Sequence, residues 1–333
     1  MQNEAMSHLT KKECSVPRAM NNRQGASIST IRLSDNNHQY DFYLRVLTFL
    51  PGQFYADSSP LSHTKALWKD LGGFMAKLTI ALSDFNHPGA FRYFEWDLAQ
   101  GYRVCMSKIQ LLNTEQSQLV GGFLNLYKTQ TMPVLSHLPQ GVIHNDANDY
   151  NLLVNDKTLP SRVTGIIDFG DVVHTHIINE LAITCAYALM GEKREPDDFL
   201  SALTAIVSSY HQIRALQDIE LEVLYSLITL RLCTTVCNAA LAIKKQPDNK
   251  YLLVSVKPAW LLLNALNELD PFTVLCKLRH ACGLAVDSGL SSEDIIDYRQ
   301  KHLGKTLSLS YQVPLKIVHG RGAYLFDHLG TPY

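Results

Sequence analysis

Neither sign of charge is in excess: the 333-residue chain has 30 Lys and Arg against 31 Asp and Glu, a formal net charge of −1. It has no basic stripe or polybasic tail, so the electrostatic footprint of a nucleic-acid or membrane-surface binder is missing. The 7 cysteines are odd in number and scattered, which speaks against a disulfide framework and for a reducing compartment. Cys233 and Cys237 share one helical face, but no His or further Cys pair accompanies them. They read as small buried side chains rather than a metal site. The first 27 residues lack an apolar h-region, so no secretory signal is expected. The longest apolar run, 223–243, is broken by Arg231, several Thr and Asn238. A buried helix fits that run better than a membrane span. A soluble, cytoplasmic protein is the expectation, without nucleic-acid or membrane partners.

What is present is core-forming material. Hydrophobic residues make up 46% of the chain, ample for a real core, and the length of 333 residues predicts one large domain or two ordinary ones. "SISTIRL" and "YDFYLRVLTFL" are β-rich and joined by the turn chemistry of "SDNNHQ", so 28–50 reads as a hairpin. From Ser59–Pro60 the apolar spacing of Leu61, Ala66, Leu67, Leu71, Met75, Leu78 and Leu82 predicts an amphipathic helix ending before "NHPG". Further helices are expected over 95–112, 115–136, 178–191, 197–215, 218–245 and 249–270, with Asp197 or Asp198 as a cap. "SSEDIIDYRQKHLG" has a capping start and a Gly304 stop. The end of the chain reads as extended segments with Gly turns, a hairpin with no obvious partner and therefore marginal.

Chemistry concentrates in two clusters. "VIHNDANDYNLLV" (142–154) sets a His, two Asp and three Asn between apolar flanks. It reads as strand, polar loop, strand, the form in which a rigid scaffold presents reacting groups. Its pattern is H-x-D-x-x-x-x-N, from His144 through Asp146 to Asn151. Twenty-two residues after Asp146, "GIIDFGD" runs an apolar strand into Asp168 and Asp171. Phosphoryl transfer to a hydroxyl needs a carboxylate at the acceptor O–H and oxygen ligands for Mg²⁺. Asp146 fits the first role, Asn151 and Asp168 the second, and His144 fits as a brace for the loop. Asp171 reads equally as a metal or substrate contact or as a cap for a following helix. Arg231 either meets an anionic substrate group or pairs with a buried acid such as Glu222 or Glu180. Trp96 either walls the acceptor pocket or packs in the core. Asp97 reads either as a contact for an acceptor amine or, by preference, as a solvated helix start.

On these motifs the chain resembles the aminoglycoside phosphotransferase and choline kinase group, and within it the hydroxylysine kinase branch. "INELAITCAYALM", "YDFYLRVLTFLPGQ", "FNHPGAFRYFEWDL" and "PDNKYLLVSVKPAW" are similar to that branch over about 28–283. The resemblance implies an α+β, protein-kinase-like fold with a large helical C-lobe. Residues 1–27 would be a polar, disordered N-terminus, 28–52 a remnant of the small lobe and hinge, and 53–283 the C-lobe. It further implies a hinge whose main chain reads the purine at Leu47, Thr48, Phe49 and Leu50, with Mg²⁺ and GTP or ATP as donor. The acceptor implied is 5-hydroxy-L-lysine; choline, homoserine or an aminoglycoside are alternatives, as is a non-catalytic pseudokinase-like module. Residues 284–333 are similar to the entry segment of class III aminotransferases related to phospho-lyases. They would be a linker and the start of such a domain, so a phospho-lyase partner and a fusion fragment are expected, without pyridoxal phosphate in this chain.

One family element has no counterpart. The Gly-rich loop and strand lysine that clamp the phosphates are not found upstream of residue 28: "NRQGAS" has one glycine, and Lys11 and Lys12 lie in polar sequence. A weak or inactive kinase with a retained metal site is the expectation.

Overall fold

The computed structural model describes all residues except 35–37, 60, 62, 156, 158–159, 191–195, 248, 250–254, 287–288 and 305–312. Helix α1 (Gln2–Lys11) occupies the N-terminal stretch expected to be disordered. Ala5, Met6 and Leu9 recur at helical spacing and are buried. Ten residues are too few to be stable alone. Tertiary contact decides the matter: α1 packs on α2 (Lys65–Leu82) and on the turn Phe169–Asp171, and His8 bonds the carbonyl of Ala81.

The small β region follows. Strand β1 (Ala19–Met20) pairs with β4 (Val46–Leu47), and β2 (Ser29–Ser34) pairs with β3 (Gln39–Leu44) in the expected antiparallel ribbon. Part of its turn lies outside the described residues. A short β5 (Gln53–Phe54) then joins the sheet of the large region.

The helical bulk forms where apolar periodicity predicts it. Thr64 accepts the N–H of Leu67 and starts α2 five residues later than Ser59. Its Leu67, Leu71, Met75, Leu78 and Leu82 are buried. Gly72 allows α2 to press against a second helix, because a Cβ there would stand 2.1 Å from the carbonyl oxygen of Ile206. Next come α3 (Leu98–Lys108), α4 (Thr114–Leu126), α5 (Ile178–Leu189) and α6 (Pro196–Ile213). After α4 the chain continues as a π turn and a 3-10 turn to His137. Because α6 starts at Pro196, Asp197 and Asp198 lie inside its first turn rather than at its cap; the Asp197 side chain is outside the described set. Helix α7 (Asp218–Lys245) is long and apolar enough to cross a membrane. It instead runs through the core, buried almost throughout from Glu220 to Cys237. It packs on α3, α5 and α8 (Val256–Asn267). The residues expected to open α8 as early as 249 are mostly outside the described set.

Helix α9 (Pro271–Ala281) and α10 (Ser292–His302) close the helical part, the latter capped by Ser291 as its sequence predicts. The terminal hairpin does find a partner. Among its residues, Phe326 is buried against Phe272 of α9, His319 stacks on the same ring, and Gly330 abuts Cys276. Its marginal ribbon is thus anchored to the large region.

Two further ribbons position the site. Strand β6 (Gln140–Ile143) pairs with β9 (Val173–His176), and β7 (Leu152–Asn155) pairs with β8 (Arg162–Ile166). The terminal hairpin is β10 (Ile317–Arg321) with β11 (Tyr324–Asp327).

Candidate active site

The loop 144–151 runs from β6 to β7, and the loop 167–172 runs from β8 to β9. Since β6 pairs with β9 and β7 with β8, both loops cross between the same two ribbons and lie side by side. The amide of Ile167 donates to the carbonyl of Asn151 at 2.9 Å and ties them together.

His144 is fully buried. Its Nε2 donates to the carbonyl of Ile167 at 3.0 Å, while Nδ1 accepts from the amide of Asp146 at 3.3 Å. That pattern requires the neutral ring, and burial pushes its pKa down to about 4. From below, the buried Glu180 of α5 accepts the amides of His144 (2.5 Å) and Asn145 (3.4 Å) on one oxygen. Burial raises this carboxyl to about 7. The clamp holds Asn145 at φ 69°, in the left-handed region. Asp168 also sits there, at φ 60°. Two of the three non-glycine residues with positive φ among the described residues are therefore in this site, where strain is retained only under strong local constraint.

Asp146 is held on both oxygens. Asn151 Nδ2 donates to Oδ2 at 2.7 Å and to the Asp146 carbonyl at 2.9 Å. Arg231 Nη2 donates to Oδ1 at 3.3 Å. The expected partners Glu222 and Glu180 are not the acids Arg231 bonds: Glu222 is exposed, and the Glu180 oxygen in use faces the backbone amides. Arg231 Nη1 donates to the carbonyl of Trp96 at 2.9 Å. The Trp96 ring lies 5.0 Å from the guanidinium and is half-buried, so it is not a core side chain. Asp97 does begin a helix, accepting from the amide of Ala99. It is buried rather than solvated and also accepts from Thr175 Oγ1 at 2.7 Å.

Asp168 closes its own turn by accepting the Gly170 amide at 3.0 Å on Oδ1. Asp171 is followed by β9, so it caps no helix. It faces the carboxylates: burial raises it to about 6, the Asp146 charge adds to this, and Arg231 opposes it. Burial likewise raises Asp146, with Arg231 lowering it, and brings Asp149 to about 6. Sequence reasoning gave Asp149 no role and missed Arg92, which donates to the carbonyls of Gly170 (2.7 Å) and Val172 (3.2 Å) and so ties segment 91–97 to the Asp168 loop. No spacing rule marks an arginine that acts on main-chain carbonyls.

The residues present suit a divalent cation. With Nδ2 turned to Asp146, Asn151 has its amide oxygen left to offer, and Asp168 has Oδ2. Among the described residues no group of three or more His, Cys, Asp or Glu could hold a metal alone. A hard cation bound by one or two side chains plus nucleotide phosphates requires no such group.

At the junction with the small β region, the Thr48 amide donates to the carbonyl of Arg18 at 2.9 Å. In an antiparallel pair this turns the main-chain groups of Leu47 and Phe49 to the opposite edge. Leu50 packs beside Gly165, and the Phe49 side chain is exposed.

Comparison with known proteins places these features in context. The model of a phosphotransferase enzyme family matches residues 1–216. Hydroxylysine kinase of Mus musculus is 27% identical over 253 residues, covering 73% of this chain and 65% of that protein. Hydroxylysine kinase of Danio rerio is 29% identical over 235 residues, covering 68% and 64%. The chain thus spans just under two thirds of these relatives. The solved structure of amicoumacin kinase hAmiN with AMP-PNP and Ca²⁺ superposes with a TM-score of 0.55 at 15% identity, covering 81% of this chain and 79% of that one. That likeness shows an α+β, protein-kinase-like fold.

Proposed function

Because the chain belongs to the phosphotransferase enzyme family, we propose that it moves the terminal phosphate of GTP or ATP to the hydroxyl of a small amine or amino acid. The observation that carries this reading is the Asp146 carboxylate, fixed on one oxygen by Asn151 and on the other by Arg231, beside Asp168. Asp146 receives the proton of the acceptor hydroxyl. Asn151 and Asp168 would hold Mg²⁺, which when bound would neutralise charge on the phosphates. The main chain at Leu47 and Phe49 reads the base. His144 and Glu180 keep the loop in register. Asp171 and Trp96 border the space in front of Asp146, where the acceptor sits.

For the acceptor we favour 5-hydroxy-L-lysine, on the support of the relatives named above. The sequence upstream of residue 28 offers no counterpart to the family's Gly-rich loop and strand lysine that clamp the phosphates. Turnover below the usual kinase range of roughly 1–100 s⁻¹ is therefore expected. Steady-state GTP and ATP consumption by the purified chain, with Mg²⁺ and a panel of hydroxylated amines, tests the reading. Slow, Mg²⁺-dependent and acceptor-stimulated phosphate transfer supports it. Mg²⁺-dependent nucleotide binding without transfer would favour a non-catalytic module, and neither binding nor transfer would overturn both readings.

A further inference from the structure

Arg231 is an expensive residue to place at the centre of α7. It is 1% exposed, and an apolar side chain of similar volume would pack there without the cost of desolvating a guanidinium. Its hydrogen bonds do not cover the whole group. Its bond to Asp146 is a single contact at 3.3 Å, its second terminal nitrogen bonds one carbonyl, and its Nε has no partner among the described residues. The ring of Trp96 lies 5.0 Å from the guanidinium and that of Tyr187 5.4 Å, so the fork is held between aromatic groups. A cation present only for stability gains little in such a place. Its contact with the acceptor-side carboxylate gives it another purpose.

The loop that carries Asp146 cannot supply this cation itself, since residues 145–151, Asn-Asp-Ala-Asn-Asp-Tyr-Asn, contain no Lys or Arg. Asp149 and Asp171 add further negative charge nearby. A carboxylate so surrounded tends to turn away from its neighbours unless a fixed positive charge holds it.

We propose that Arg231 is a positioning residue that acts through Asp146. From the rigid helix it fixes Oδ1, so that Oδ2 keeps Asn151 oriented toward the metal and the carboxylate faces the acceptor hydroxyl. This differs from a substrate-reading role: at 1% exposure the guanidinium offers no face to a ligand in the open cleft. The proposal rests on the reading of Asp146 as the acceptor-side base.

The test is a double-mutant cycle in the full chain with Arg231→Met, Arg231→Lys and Asp146→Asn. Arg231→Met is expected to lower kcat about 10²-fold, the scale of a misplaced reacting group, with KM for donor and acceptor within about threefold. Arg231→Lys should restore part of the loss, and Arg231→Met should cost nothing further in the Asp146→Asn background. Equal losses in both backgrounds, or a loss confined to the acceptor KM, overturns the proposal. Should the wild-type chain show no turnover, the function reading falls separately, and the pair is judged by NMR. Restricted rotation of the Arg231 guanidinium that is released by Asp146→Asn supports the contact; rotation unchanged by that substitution overturns it.

Discussion

The loop 144–151 and the ribbon β2–β3 are both rich in polar residues, yet the structure treats them oppositely. The loop is constrained from every side: His144 and Asn145 are fully buried, Glu180 clamps their amides, and Arg231 and Asn151 fix Asp146. The ribbon is ordered by its main-chain ladder and a surface pair, Arg32 with Asp41, which contributes little in water. One face carries Ile31, Leu33, Tyr40 and Phe42, the alternation of a half-buried sheet, and all four are exposed. Side-chain burial fixes the geometry of the loop, whereas the ribbon is held by main-chain pairing with its side chains exposed.

The sharpest way to break this contrast is at the loop itself. Asp146→Asn is expected to lower phosphate transfer by at least about 10³-fold, with Mn²⁺ affinity, read by electron paramagnetic resonance, within threefold of wild type. Asp168→Asn should abolish Mn²⁺ binding as well. Tyr43→Ser on the ribbon, where the ring is 77% exposed, should change transfer by less than twofold. A ribbon substitution as damaging as Asp146→Asn would mean that the ribbon, and not only the loop, shapes the site.

Stability should show the same asymmetry at smaller scale. Leu71 of α2 is fully buried, and Leu71→Ala is expected to cost about 2–5 kcal/mol in denaturant melts. Leu33→Ser on the ribbon should stay within about 0.5 kcal/mol. If both cost the same, the ribbon is covered in solution.

Much of this contrast was legible in advance. The spacing of Leu67, Leu71, Met75, Leu78 and Leu82 marks α2, and the run 218–245 marks α7 to the residue, because apolar periodicity reports burial directly. The ribbon was readable from β-rich runs flanking a turn. The N-terminal helix was not: Ala5, Met6 and Leu9 are too few to outweigh Gln2, Asn3, Glu4, Ser7 and His8 until α2 packs against them. In the site, motif spacing singled out His144, Asp146, Asn151 and Asp168, since that chemistry needs fixed offsets. It could not join Arg231 to Asp146, 85 residues away, or aim Arg92 at two carbonyls. Those pairings exist only once α7 and the segment before α3 are folded against the loop.

Acid–base behaviour separates the regions next. The folded protein holds Glu180 at about 7 against an ordinary 4.5. It therefore binds more protons than the unfolded chain between those values, and Glu180 makes stability fall as pH rises from about 4.5 to 7. The full effect is at most roughly 3 kcal/mol. His144 acts in the opposite sense: held at about 4 against 6.5, it makes stability fall as pH drops through that window. Glu180→Gln should remove the loss of stability between about pH 6 and 7 in thermal melts; below about pH 6 the raised Asp149 and Asp171 and the lowered His144 still act in opposite senses. A melting curve with the wild-type slope above pH 6 would show that the clamp stays ionised.

The smallest expected effect concerns the apolar face of the ribbon. Phe42 lies opposite Ile31 and diagonal to Leu33, with Tyr40 two residues before it on the same face. An uncovered strand pair of this kind invites edge or face association. Phe42→Lys places a charge on that face while removing no buried contact. The substitution is expected to change unfolding free energy by less than about 0.5 kcal/mol and to raise the concentration at which light scattering shows monodisperse chain. A loss of 2 kcal/mol or more would mean that Phe42 is packed in solution, and the line between a constrained loop and an open ribbon would then have to be redrawn to include the ribbon in the core.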